Sequence, residues 1–224
     1  MDIVSALAKI SEITTSPNRE IDPQELTEIV PKFFEKITEI KLRTCFNCGH
    51  HSISKLEKGE QGVYIFLVGD KHYLKVGKVG CNSDARWNSH HYTLNRTASA
   101  LPLSIKNNPG LLREAFRDNP ESLDNFLEIL RNIQQVIDKK IKKEKKLTKK
   151  QKRPKERRDY SRFDPDKKVR DWIEKNTRRI EFILPVKAPK YAVNFLEGFL
   201  QWLLQPLYEG RSKRKPAGDR KSVV

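Results

Sequence analysis

Residues 61–80 alternate apolar side chains between two faces, which predicts a β-hairpin. In GVYIFLVGDKHYLKVGKVG, two runs rich in β-branched and aromatic residues flank a Gly-Asp turn. Val63, Ile65 and Leu67 fall on one face, and Tyr64, Phe66 and Val68 fall on the other. A later apolar run, RIEFILPVK at residues 179–187, predicts a third strand.

Elsewhere the apolar residues recur three and four positions apart, which predicts helices. Residues 1–44 follow this pattern, with Asp22 as an N-cap and Pro23 at the first helical position. Pro31 interrupts the pattern, a break that would divide one helix into two.

Further helices are predicted in the middle and at the end of the chain. Residues 82–106 predict a helix capped by Asp84, with a second short stretch in which Pro102 lies near the start. Residues 109–147 predict one or two helices, with Ser122 as an N-cap. Residues 190–205 predict a helix that Pro206 ends.

The order of these elements predicts an α+β fold with a small antiparallel sheet flanked by helices. We expect an N-terminal helical region with a CxxC segment over residues 1–58, and a main domain over residues 59–210. A basic helical insertion at about 109–172 would interrupt that domain, and residues 211–224 would form a flexible basic tail.

Charge narrows the choice of partner. The 224 residues carry a net charge of +16, and residues 139–158 contain thirteen Lys or Arg and two Glu. Such a segment forms no core, and it is either a basic arm or a fraying helix extension. It favours contact with the phosphates of nucleic acid, DNA before RNA, although a solvated insert without function remains an alternative. RNA is less expected because the run lacks aromatic residues for stacking before Tyr160 and Phe163.

The beginning of the chain and its apolar runs indicate a cytoplasmic protein without a membrane span. MDIVSALAKISEI does not resemble a secretory signal, and no apolar run approaches ~20 residues. The chain has only three cysteines, which argues against a disulfide scaffold. Cys45 and Cys48 have the spacing of half a zinc site, which His51 and Cys81 would complete, but ordinary thiols are the expected alternative.

One set of residues has the chemistry of a phosphodiester-cleaving site. Tyr64 and Lys75 lie on the two strands of the hairpin, and Arg86 and His90 lie four apart, on one face of the next helix. Together they would form an electropositive site that stabilises a phosphorane-like transition state. Glu197, which interrupts an apolar helix, would supply a carboxylate for Mg²⁺.

The same residues resemble the motifs of the GIY-YIG nuclease superfamily. GVY at Gly62–Tyr64 corresponds to the first motif, KVG at Lys75–Gly77 to the second, and RWNSH to the helix that follows, while LEGFLQWLLQPLYE corresponds to the late helix carrying the metal-binding Glu197. The resemblance covers about residues 60–106 and 179–210 and implies a GIY-YIG-like fold. Lys75 replaces the usual Tyr, as in some restriction-type and phage-type members, and Glu209 stands where the family has an Asn.

The resemblance implies one-metal hydrolysis of DNA. Tyr64 would accept a proton from the attacking water or position that water, with Lys75 favouring its ionised form, and Arg86 would contact the scissile phosphate. His90 would hydrogen-bond Tyr64 or the water, and His91, which projects elsewhere, is a secondary candidate. Glu197 would hold Mg²⁺ or Mn²⁺ at the leaving oxygen. Ser99 matches a small polar residue of the family, and the expected DNA-binding residues are Lys78, Ser99, Lys149, Lys150, Lys152, Arg153, Arg157 and Arg158.

The sequence therefore predicts a metal-dependent DNA endonuclease, of restriction type and working as a homodimer if its target is palindromic. Taken singly, each of these residues also suits a structural role. The alternatives are a non-catalytic basic DNA- or RNA-binding protein on a nuclease-like scaffold, and a ribosome- or RNA-associated basic protein. A protein that only binds nucleic acid would need neither Glu197 nor Mg²⁺.

Overall fold

The computed structural model describes residues 4, 5, 8, 10–12, 21–69, 71–81, 87–93, 100–146 and 165–208. Within these ranges, short 3-10 helices cover His90–Tyr92 and Pro109–Leu112. The longer elements are α1 (Pro23–Thr38), β1 (Arg43–Phe46), β2 (Gln61–Val68), β3 (His72–Val79), α2 (Leu101–Asn107), α3 (Pro120–Lys146), α4 (Pro165–Asn176), β4 (Arg178–Leu184) and α5 (Lys190–Leu204). The chain is thus α+β, as predicted.

The four strands form one antiparallel sheet in the order β1-β4-β2-β3. The predicted hairpin is confirmed as β2 and β3, and the predicted third strand is β4, which lies beside β2 in the interior of the sheet. Strand β1 was not predicted, because residues 43–44 were assigned to a helix and residues 45–46 to the CxxC segment. Since β1 pairs with β4, the N-terminal region contributes an edge strand to the same sheet as the hairpin.

The alternation of side chains gives the sheet two buried faces. On one face, Tyr64 and Phe66 pack with residues of α2, α3 and α4. On the other, Val63, Ile65 and Leu67 pack with residues of α1 and α5. We call these the Tyr64 face and the α5 face. The protein therefore has three layers, with helices covering both sides of the sheet.

Helix α1 begins as predicted and continues further than predicted. Asp22 Oδ1 accepts hydrogen bonds from the backbone N–H groups of Gln24 (2.7 Å) and Glu25 (3.1 Å). The predicted break at Pro31 is wrong, since one helix runs through that residue. Burial of the apolar stripe of α1 against the α5 face outweighs the backbone hydrogen bond that a proline cannot donate.

The N-cap predicted for α3 is also wrong. The helix begins at Pro120, and Asn119 Oδ1 accepts a hydrogen bond from the backbone N–H of Ser122 at 3.3 Å. Ser122 therefore lies inside the first turn. Its hydroxyl donates to Asn176 Oδ1 on α4 at 2.9 Å, so it joins two helices instead of capping one.

The predicted helix over residues 82–106 is shorter than expected where it is described. Residues 87–88 are helical, residues 90–92 form a 3-10 helix, and Thr93 is extended. The second stretch is confirmed as α2, with Pro102 in its first turn. Asp84 lies outside the described residues.

The end of the described chain lies along the edge strand β3. Helix α5 ends just before Pro206, as predicted. The backbone N–H groups of Leu207 and Tyr208 then donate to the carbonyls of Tyr73 (3.0 Å) and Leu74 (2.8 Å). No helix among the described residues is long and apolar enough to cross a membrane.

Candidate active site

Tyr64 lies at the centre of the Tyr64 face and makes a short hydrogen bond to a histidine. Its side chain is 1% exposed, and its hydroxyl oxygen lies 2.5 Å from His91 Nε2. The backbone N–H of Leu101, at the start of α2, donates to His91 Nδ1 at 3.2 Å. Because Nδ1 is an acceptor, the hydrogen of the neutral ring resides on Nε2. His91 therefore donates to the Tyr64 oxygen, which favours negative charge on that oxygen.

Two glycines of the hairpin make room for this arrangement. A Cβ atom at Gly77, opposite Tyr64, would lie 2.6 Å from Tyr64 Cζ, and one at Gly62 would lie 2.7 Å from Trp87 Cζ3. Both distances are too short for a real contact. The two motif glycines are thus explained by the rings that pack directly on the backbone.

The short hydrogen bond to Tyr64 is made by His91, which the sequence indicated only as a secondary candidate. His90 was expected to hydrogen-bond Tyr64 or the attacking water, whereas the contact is made by His91, which is 2% exposed. The prediction assumed α-helical geometry, but residues 90–92 form a 3-10 helix, which directs successive side chains differently. His90 packs edge-on against the His91 ring, at 5.3 Å between centroids. Arg86 and Ser99 lie outside the described residues.

Lys75 is buried on the same face as Tyr64. It pairs with Phe66 across the hairpin, one pair away from Tyr64 and Gly77, so it does not lie directly opposite Tyr64. The lysine is 4% exposed, and its Nζ donates to the backbone carbonyl of Tyr208 at 3.4 Å. The structure therefore places the Lys75 and Tyr64 side chains on one face of the sheet.

A buried ion pair on β4 was not predicted. Arg179 and Glu181 are both 1% exposed, and Arg179 Nε lies 2.8 Å from Glu181 Oε1. Glu181 pairs with Tyr64 across the sheet, so both charges lie on the Tyr64 face. The backbone N–H of Ser54 (3.0 Å) and its hydroxyl both donate to Glu181 Oε2. In the sequence, this buried pair is indicated only by the two charged residues of RIEFIL, a run that is otherwise apolar.

A chain of hydrogen bonds extends from Arg179. Its Nη1 donates to the Tyr92 oxygen at 3.3 Å, and the Tyr92 hydroxyl lies 2.7 Å from His51 Nε2. His51 Nδ1 lies 3.0 Å from the Thr177 hydroxyl, which itself donates to the Ile173 carbonyl. Thr177 is therefore an acceptor for His51 Nδ1–H, and Tyr92 donates to Nε2. This pattern holds His51 neutral in one tautomer.

We predict that His51 makes folding sensitive to acid. Burial and, second, the Arg179 charge lower the pKa of His51 to about 4. Between pH 6.5 and 4 the unfolded chain binds a proton at His51 that the native protein does not, so stability is lost as the pH falls through that window. The shift corresponds to at most about 3 kcal/mol. Urea unfolding from pH 7 to pH 4 should show a steeper loss for the wild type than for His51→Gln, and equal slopes would contradict this role.

Glu197 reaches the hairpin from the α5 face. Its Oε2 forms an ion pair with Nζ of Lys78, the residue that follows Gly77 on β3, and their side chains are 19% and 33% exposed. Lys78 pairs with Val63, so its side chain leaves the sheet on the α5 face. Glu197 thus lies near the edge strand on which the Tyr64 hydroxyl packs, but its helix covers the opposite face.

The proposed zinc ligands are not brought together. No group of three or more His, Cys, Asp or Glu among the described residues could hold a metal ion, and Cys45, Cys48, His51 and Cys81 are all described. Cys48 Sγ contacts Gln24 Oε1 at 3.5 Å. His51 is occupied by Thr177 and Tyr92.

Of the basic segment, the backbone of residues 139–146 is described and continues α3. The predicted DNA-binding residues Lys149, Lys150, Lys152, Arg153, Arg157 and Arg158, like Glu209, lie outside the described residues. Comparison of the chain with protein-family models, curated proteins and solved structures found no match, so the GIY-YIG resemblance rests on the motif residues alone.

Proposed function

We propose that this protein is a metal-dependent endonuclease that hydrolyses phosphodiester bonds in DNA, with Tyr64 at its reacting centre. The observation that carries the proposal is the Tyr64–His91 hydrogen bond, in which a donor fixed by the Leu101 N–H points at the tyrosine oxygen. Any buried tyrosine hydroxyl needs a hydrogen-bond partner, but the partner of Tyr64 is a fixed donor, which favours the ionised form of the oxygen. The ordered motifs GVY, KVG and RWNSH add sequence support.

In this proposal Tyr64 accepts a proton from the attacking water or aligns that water with the phosphorus. Tyr64 can accept that proton only as the phenolate, after its own hydroxyl proton has been released to solvent, and the hydrogen bond from His91 increases the fraction of Tyr64 in that ionised form. Lys75 adds positive charge to the same face, and Arg86 would contact the phosphate. Because Tyr64 is 1% exposed, DNA binding must open a path to its hydroxyl.

Glu197 is the proposed metal ligand. A single carboxylate with waters and phosphate oxygens suits Mg²⁺, and Glu197 is half-buried beside β3 with one cationic partner, Lys78. The donor set therefore fits an ion that replaces Lys78 as the partner of the carboxylate. Such an ion would lie on the face of the sheet opposite Tyr64, so it would stabilise negative charge on the leaving oxygen only of a DNA strand that passes around the β3 edge. Lys78, once released, is free to contact a DNA phosphate.

The alternative function is non-catalytic binding of nucleic acid through the basic segment. The net charge of +16 favours it as much as it favours a nuclease. Binding alone requires neither a metal ion nor the Tyr64–His91 pair, so the two functions are separable by experiment.

The test uses the full chain with supercoiled and linear plasmid DNA in Mg²⁺, Mn²⁺ or EDTA. We expect cleavage in the metals and none in EDTA, with discrete fragments if the enzyme recognises a sequence. Salt-sensitive binding without cleavage in either metal would overturn the nuclease proposal.

We predict that Glu197→Gln reduces cleavage at least ~100-fold, because a bound ion contributes several kcal/mol of charge stabilisation. Lys78→Gln is the matched control, since it breaks the same ion pair but keeps the carboxylate. We expect it to retain cleavage within about tenfold, with weaker binding of DNA. If both variants lose activity equally, Glu197 acts only as the partner of Lys78.

A further inference from the structure

Arg179 is a buried cation directly beside Tyr64, and the mechanism above gives it no role. Its guanidinium carbon lies 4.5 Å from the Trp87 ring centroid, 4.9 Å from that of Tyr64 and 5.5 Å from that of Phe66. Arg179 pairs with Phe66 across the sheet, and its Nη1 donates to the Trp87 carbonyl at 2.9 Å. The cation is thus enclosed by three aromatic rings and held in place by backbone.

The ion pair with Glu181 is a poor device for stability alone. Burial raises the pKa of Glu181, although Arg179 and Ser54 act in the opposite direction. Within the described part of the chain, Arg179 Nη2, Arg179 Nε and Glu181 Oε1 are buried without a well-oriented hydrogen bond. Buried ion pairs of this kind are often no more stabilising than apolar residues of similar volume. Fold stability alone therefore gives no reason for these two buried charges.

The contact with the Tyr64 ring supplies such a reason. A cation attracts the π electrons of an aromatic ring, and a phenolate ring carries more negative charge than a phenol ring. The attraction between Arg179 and Tyr64 therefore strengthens as Tyr64 gains negative charge. A group that interacts more strongly with the phenolate than with the phenol increases the fraction of Tyr64 that is ionised, and so able to accept a proton, at a given pH. An arginine suits this position because it keeps its charge even when buried.

We infer that Arg179 is a positioning residue that stabilises Tyr64 in its ionised form from behind the ring, while His91 does so at the oxygen. The role of Arg179 in catalysis rests on the proposed nuclease function. Its effect on the ionisation of Tyr64 does not depend on catalysis. Arg179 touches the tyrosine ring and not the site of the scissile bond.

Several charged or titratable groups surround Tyr64 on this face. Among the described residues they are Lys75 on β3, Arg179 and Glu181 on β4, His90 and His91 on the 3-10 helix, His51 on the loop before β2, and Arg170 on α4. The residues by which α2 and α3 pack on this face are apolar. Arg170 lies over the ring of Tyr92 at 4.6 Å rather than over Tyr64. It is therefore a matched cation control for Arg179.

The first test measures the ionisation of Tyr64 without DNA. The near-ultraviolet absorbance of tyrosinate is titrated in each protein and in the same protein carrying Tyr64→Phe, and the difference isolates Tyr64. Glu181→Gln removes the anion and keeps the cation, whereas Arg179→Met/Glu181→Gln removes both. We expect Tyr64 to ionise about one pH unit higher in the double variant than in Glu181→Gln. Arg170→Met should leave the midpoint at the wild-type value.

If the double variant does not fold, Glu181→Gln alone still tests the inference, because Tyr64 should then ionise at a lower pH than in the wild type. A midpoint unchanged in both variants, with only thermal stability reduced, would overturn the role and leave Arg179 structural.

The second test measures DNA cleavage against pH in single turnovers. The pH of half-maximal rate should follow the same order, with the double variant cleaving about tenfold more slowly than Glu181→Gln near neutrality. Binding of DNA should change less than twofold. Absence of cleavage in the wild type, with the titration shift present, would refute the nuclease proposal and keep the inference about Tyr64. If the wild type cleaves DNA but Glu181→Gln and the double variant have the same dependence of rate on pH, Arg179 has no role in catalysis.

Discussion

Replacing Tyr64 with Phe should reduce DNA cleavage by about 1000-fold while the protein still binds DNA. The magnitude is that of losing a proton acceptor positioned at the reacting water. Phe keeps the ring that packs edge-on against Trp87 at 5.8 Å and lies near Arg179. It loses one hydrogen bond and leaves His91 Nε2–H without its described acceptor, which costs about 1–3 kcal/mol of folding stability. Single-turnover cleavage and anisotropy binding measure the two effects separately.

Tyr73→Phe is the matched control for that variant. Tyr73 lies on the other strand of the hairpin, is 6% exposed, and packs on the α5 face. Its hydroxyl donates to the Ile21 carbonyl at 2.9 Å, so its loss costs a comparable buried hydrogen bond. We expect cleavage to stay near the wild-type rate. If Tyr64→Phe cleaves within tenfold of the wild type, Tyr64 is not the proton acceptor.

The fold was predictable where the pattern of the sequence was strong. The alternation of side chains between two faces, with a period of two residues over 61–79, identified both hairpin strands, and an apolar run identified β4. Strand β1 (RTCF) was not predicted because it is a four-residue edge strand. Its side chains are exposed or half-buried, so apolar and polar residues do not alternate along it. The effect of Pro31 on the helix was overestimated because the local sequence pattern does not show how strongly the apolar face of the helix is buried.

The site was predictable at its motif positions and not beyond them. Tyr64 and Lys75 share a face because a β-bulge shifts the hairpin register between Phe66 and Leu67, a shift that the turn residues do not reveal. The choice of His91 over His90 depends on a 3-10 helix, which two adjacent histidines do not reveal. Arg179 and Glu181 are three-dimensional partners of Tyr64, although they follow it by more than a hundred residues. Only the pairing of β4 with β2 brings these charges to the site.

Gly77→Ala should damage both stability and cleavage, although alanine suits a strand better than glycine does. The added Cβ would lie 2.6 Å from Tyr64 Cζ and 2.7 Å from Cε2, so the ring must move away and the hydrogen bond from His91 must lengthen. Overpacking of this kind costs about 1–3 kcal/mol. We expect cleavage close to that of Tyr64→Phe, since a displaced hydroxyl serves no better than an absent one.

Gly80→Ala tests whether that loss comes from the crowded ring or from the added methyl group itself. A Cβ at Gly80 meets no atom within 4 Å, so urea unfolding and cleavage should match the wild type. In Gly77→Ala/Tyr64→Phe the methyl group still crowds the ring, but the hydrogen bond to His91 that each single change weakens or removes is lost only once, so the two stability losses should sum to more than the double variant shows. Strict additivity would mean that the methyl group does not displace the Tyr64 hydroxyl from His91. If Gly77→Ala is as stable and active as the wild type, then the absence of a side chain at residue 77 is not required to hold Tyr64 against His91.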